Sequence, residues 1–151
     1  MKIRSDFVTN SSSSSFIIGF SSDAELDNFK DTFPRWLSEV LIDRVDTDVN
    51  NNIITKGQAI EMYKEYALDE WYYTYNGKPC WRLSKEERES EEYIQYIQKQ
   101  QEEDIQDFLK EIEGIQIFAQ VSYADDDEVG SCLEHDVVPS LPNTIISFSH
   151  H

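Results

Sequence analysis

The chain has 151 residues, of which 39% are hydrophobic and 28% charged, and it carries a formal net charge of −17. That length suits a single domain able to bury a core without covalent staples, and the composition argues against disorder. The charge argues against direct binding of nucleic acid or of an anionic membrane and points to a partner with a basic face.

No apolar run approaches the roughly 18 residues a membrane span needs. The two cysteines, Cys80 and Cys132, build no disulfide framework. No apolar stretch follows Lys2 and Arg4, so no signal peptide is expected and the predicted compartment is the cytoplasm. The charge is lopsided: 13 acidic and 8 basic side chains precede Cys80, whereas 17 acidic and 5 basic follow from it onward.

In chain order, Ile3, Phe7 and Val8 are apolar among polar neighbours. Phe16-Ile17-Ile18-Gly19-Phe20 reads as a buried strand. The serine run Ser11 to Ser15 between them is expected to be a loop, because serine hydroxyls compete for backbone partners. As an anion-binding nest the same run would use its hydroxyls and amides. The segment K-I-R-S-D-F-V-T-N-S-S-S-S-S-F-I-I resembles an N-terminal signature of uncharacterised bacterial and phage-related proteins. The resemblance covers about the first eighteen residues and implies no activity, cofactor or site residue.

Ser22 and Glu25 form a capping box that opens a helix with Leu26, Phe29 and Phe33 on one stripe. After Pro34, Leu37, Val40, Leu41 and Val45 predict an amphipathic helix, with residues 46–52 as a loop. A second capping box, Thr55 with Gln58, opens a helix expected to run to about Tyr75 and crowded with aromatics, among them Tyr63, Tyr66, Trp71, Tyr72 and Tyr73. Residues 76–79, N-G-K-P, read as a turn. Ser84 and Glu87 form a third box and start the longest predicted helix, to about Glu113, with Gly114 as its cap. At about 1.5 Å per residue it would span roughly 45 Å, and the surplus length is available to a second copy.

Ile115, Ile117, Ala119, Val121 and Tyr123 alternate as a half-buried strand. An acidic loop follows, then Glu134-His135-Asp136, and residues 144–148 form a last strand. The whole reads as one α+β domain over residues 1–151. Three or four strands from both chain ends make a small mixed or antiparallel sheet, packed with four helices.

Two function classes follow. In the first, the chain is a non-enzymatic interaction protein that inhibits or regulates a nucleic-acid-binding protein. Residues 86–113 hold eleven acids and three bases. The contact residues would be Glu86, Glu87, Glu91 and Glu92, with Tyr72, Tyr73 and Trp81 as aromatic anchors. In the second, all three histidines lie near the acidic loop, and carboxylates with imidazole suit a divalent metal, as a binding domain or a metal-dependent hydrolase. Its ligands would be Asp125, Asp127, His135, Asp136 and His150. Read as strand, Glu134 and Asp136 would share a face that His135 does not. An EF-hand register over residues 125–136 fails at Val129, which cannot ligate calcium. Cys132 with His135 is a candidate nucleophile and base, though no oxyanion-hole motif accompanies them.

Overall fold

The computed structural model describes residues 13–124 and 127–150. They divide into two compact units: residues 60–113, and a unit drawn from both ends of the chain, up to residue 59 and from residue 114 onward. The expected N-terminal apolar positions Ile3, Phe7 and Val8 lie outside the described residues.

The two-ended unit is α+β and is built on strand β1, Ser13–Phe20. β1 pairs antiparallel with β5, Ile117–Ala124, on one side and with β6, Thr144–His150, on the other. A two-residue strand, β2 (Ile53–Ile54), extends the sheet to the order β2-β5-β1-β6. β1 is central because it is apolar on both faces: Phe16, Ile17, Ile18 and Phe20 are all fully buried. Burial on both faces, rather than the alternation of a half-solvated antiparallel strand, accounts for the continuous apolar run.

The register places Ser14, Phe16 and Ile18 opposite Tyr123, Val121 and Ala119. Strand alternation puts these six on one sheet face. Phe16, Ile18, Val121, Ala119 and Tyr123 join Phe29, Phe33, Val45, Val49, Leu133 and Val137 in the main core.

Two expectations fail here. Ser13 to Ser15 are strand, not loop: Ser14 and Ser15 are buried, and side-chain partners replace water for their hydroxyls. The run 46–52 is mostly helix, because α2 spans Glu39–Asn51, with Ser38 rather than Pro34 at its start. Val45 and Val49, one helical turn apart, are both fully buried, and that burial overrides the weak helix preference of D-T-D-V-N-N. Only α1, Asp23–Asp27, follows Ser22, and a 3₁₀ turn at Phe29–Thr32 carries the chain onward.

The second unit contains most of α3, Lys56–Ala67, whose start shows the expected capping box. α3 stops at Ala67, eight residues before the expected end at Tyr75. A 3₁₀ turn (Glu70–Tyr72) and a small hairpin follow, β3 Thr74–Tyr75 and β4 Lys78–Pro79. Asn76 and Gly77 both have positive φ, 50° and 76°, as a two-residue hairpin turn requires.

The long predicted helix is two helices, α4 (Lys85–Glu89) and α5 (Glu91–Glu111). Ser90 breaks it with extended backbone, ψ 141°, and caps α5 by accepting from the Tyr93 amide. α5 alone is about 32 Å long, short of the 45 Å span. Its cap is Ile112, and Gly114 is not in the left-handed region. Tyr73, Cys80, Leu83, Tyr93 and Ile97 form this unit's own core.

Candidate functional site

Two places bring the predicted functional side chains together, one in each unit. The first is the turn around α4. Ser84 accepts from the Glu87 amide and Glu87 reaches back to the Ser84 amide, so the helix start is fixed from both directions. Glu87 also takes Lys78 Nζ at 3.2 Å. Its carboxyl is held below the usual range, first by the Ser84 amide and then by Lys78. Glu87 is therefore committed to the helix start.

Glu86, Glu89, Glu91 and Glu92 are exposed. Glu86 lies in the first turn of α4 and Glu91 and Glu92 in the first turn of α5, where the helix dipole favours negative charge, while Glu89 ends α4. Trp81 lies three residues before Ser84 and is 42% exposed, with the Arg82 guanidinium 4.5 Å from its ring centre.

The other proposed aromatic anchors differ. Tyr73 is buried and belongs to the core: its hydroxyl donates to Ala67 O at 3.0 Å and to Asp104 Oδ2 at 2.9 Å. It cannot meet a partner: the helix expected to carry it to about Tyr75 ends at Ala67, and the turn that follows places Tyr73 in the core. Tyr72 is half-buried against Tyr66, ring centres 4.7 Å apart.

The second place is one end of the four-stranded sheet. Residues 128–137 are not a loop: α6, Glu128–Cys132, runs into a π-helical turn, Leu133–Val137. That overturns the strand geometry expected at Glu134-His135-Asp136 and the loop register of a calcium site. The apolar positions Leu133, Val137, Val138 and Leu141 are buried, and Glu134 falls among them at 2% exposure. Ser14 Oγ on β1 donates to Glu134 Oε1 at 2.6 Å. Among the described residues Glu134 Oε2 is buried without a hydrogen-bond partner, and His135 Nε2 lies 3.8 Å from it.

Tyr123, directly across from Ser14, donates to Asp48 Oδ2 at 3.0 Å and has the Arg44 guanidinium 5.8 Å above its ring. Burial, then the Asp48 charge, pushes its phenol upward from the ordinary tyrosine range.

The expected metal ligands scatter around this end. Asp125 lies outside the described residues. Asp127 caps α6, accepting from the Gly130 amide. Asp136 is exposed, and His150 ends β6 with its backbone opposite Ser13. Cys132 is half-buried against the main core. Among the described residues no three His, Cys, Asp or Glu side chains converge as a metal-holding group.

Sequence reasoning named Ser14 within the serine run and Glu134 beside the acidic loop, but missed that the two pair in the interior. The signal was present: Glu134, Val137, Val138 and Leu141 keep the 3-4 spacing of one helical stripe. A carboxylate on such a stripe has to be matched from a neighbouring element.

Compared with protein-family models, with curated proteins and with solved structures, the chain finds no match. Among the described residues no helix is long and apolar enough to cross a membrane.

Proposed function

We propose that this chain is a small acidic interaction protein that docks, through the α4–α5 turn, on a basic surface such as the nucleic-acid-binding face of a partner protein. The observation that carries this reading is a half-exposed Trp81 close in sequence to four exposed glutamates, Glu86, Glu89, Glu91 and Glu92. Interfaces combine an aromatic anchor, which supplies most of the energy, with a charged rim, which steers encounter and sets salt dependence. Residues 60–113 carry fifteen acidic and seven basic side chains, so the field around the turn attracts cations.

The test uses a lysine-rich peptide as the basic probe, at low and at physiological salt. Replacing Glu86, Glu89, Glu91 and Glu92 by glutamine should abolish binding, and Trp81→Ala should weaken it at both salt concentrations. Neutralising Asp23, Asp27, Asp31 and Glu39 removes the same charge elsewhere and should leave most of the binding intact. Equal loss in the two four-fold variants would refute a localised site.

A further inference from the structure

Trp81 sits in a 3₁₀ turn, Cys80–Arg82. Such a turn brings residues three apart onto one face. Cys80 and Leu83 take that face, and both are buried in the core of their unit. Trp81 and Arg82, between them, are left to solvent. The Cys80 amide donates to Tyr73 O at 2.9 Å, which fixes the start of the turn. Arg88 Nη2 donates to the Cys80 carbonyl at 3.0 Å, and Lys78 Nζ reaches Glu87 at 3.2 Å. These last two contacts tie the turn to α4, so Trp81 and the helix that carries Glu86 and Glu89 belong to one surface.

Neighbours on a helical turn point apart, so Arg82 meets the indole only by folding its long side chain back. Its guanidinium lies 4.5 Å from the ring centre, inside the roughly 6 Å of a cation–π contact. We propose that Trp81 is a stacking platform for an arginine side chain of the basic partner, and that Arg82 is its internal competitor, which occupies the ring until the partner's arginine displaces it. The inference rests on the reading of the α4–α5 turn as the docking site and names what that site prefers. The chain's own contact shows that the ring accepts a guanidinium. Tryptophan is the best aromatic ring for a cation, and a planar guanidinium stacks flat on it where an ammonium cannot. The outward N–H groups of a stacked arginine suit carboxylates, which the exposed Glu86 and Glu89 supply on the adjoining helix. A cation–π contact at an exposed site is weak, so its occupant exchanges readily.

The test is fluorescence anisotropy, at low salt, of labelled arginine-rich and lysine-rich peptides of equal length and charge titrated with the whole protein. The unmodified protein should bind the arginine peptide more tightly. Arg82→Gln should raise that affinity by about two- to five-fold beyond Lys85→Gln, which removes the same charge from α4. In a Trp81→Ala background the surplus should vanish. Arg82 and Lys85 are both exposed, and far-UV circular dichroism checks that each variant is folded. Equal affinity for the two peptides, no surplus over Lys85→Gln, or a surplus that survives Trp81→Ala would overturn the inference. The docking reading would still stand in those cases if binding is lost with Glu86, Glu89, Glu91 and Glu92. Binding of neither peptide would overturn both.

Discussion

Replacing Ser14 by alanine removes the only hydrogen bond that the buried Glu134 carboxylate receives among the described residues. Both oxygens would then be buried without a donor. A hydrogen bond to a charged group contributes about 1.5–3 kcal/mol, and Glu134 at 2% exposure cannot recover it from water. Ser14→Ala should therefore cost about 2–3 kcal/mol, against about 1 kcal/mol for Ser15→Ala, whose hydroxyl meets Ser122 Oγ at 2.7 Å.

The companion change is Glu134→Met, which removes the charge along with its need for a partner. Replacing a buried charge with an apolar side chain of similar volume is near neutral or stabilising. In that background Ser14→Ala should lose most of its effect, giving a coupling energy of about 1.5–2.5 kcal/mol in the double-mutant cycle. The assay is urea unfolding followed by far-UV circular dichroism in the presence of a chelator. A Ser14→Ala cost below about 0.5 kcal/mol, the scale of a surface substitution, would refute the assignment of the serine run to the central strand.

Glu25 is held below the usual carboxylate range, first by Ser21 and also by Asn143. A depressed carboxyl contributes stability above its unfolded value of about 4.3 and loses it as pH falls through the folded value. The stability gap between the unmodified protein and Glu25→Gln in urea titrations should thus be present at pH 7 and close below pH 4. Gly130→Ala would drive a new methyl into the Ala124 carbonyl oxygen at the end of β5. It should cost about 1–3 kcal/mol, read from the same titration. Ser90→Ala removes the cap on α5 and should cost about 1 kcal/mol, seen as earlier urea unfolding of the helical signal. The Tyr123 phenol, pushed up by burial and Asp48, should stay un-ionised at pH 11 in an ultraviolet titration of the folded protein, whereas it should titrate with the other tyrosines once the chain is unfolded in urea. With its folded value raised, its contribution is complete below about pH 10 and is lost as pH rises further.

Much of the fold was legible because it rests on local chemistry. The boxes at Thr55 and Ser84 form as the side-chain spacing requires. At Ser22 the return bond from Glu25 goes to Ser21 instead. The strands expected at residues 16–20, 115–123 and 144–148 all form, the second starting at Ile117 rather than Ile115.

What was not legible depends on distant residues. Ser13 to Ser15 look like a loop until β5, β6 and Glu134 supply their partners. Val49 draws six more residues into α2 because the core has room for it, a fact absent from D-T-D-V-N-N. Ser90 ends one helix and starts another by competing for the backbone, where hydrophobic periodicity alone continues through it. The same dependence shaped the candidate sites. Trp81 and the exposed glutamates could be read from composition, whereas Tyr73 is withdrawn into the core by a hairpin no period announces.

The central claim is that the acidic turn at α4–α5, rather than total charge, recognises a basic partner. The most direct measurement is the dissociation constant for a lysine-rich peptide across a salt series. It compares the unmodified protein, the Glu86/Glu89/Glu91/Glu92 glutamine variant, and the charge-matched variant at Asp23, Asp27, Asp31 and Glu39. The first variant should lose both affinity and salt dependence while the second keeps them. Identical salt slopes and affinities for the two variants would show that only the net charge matters and would contradict it.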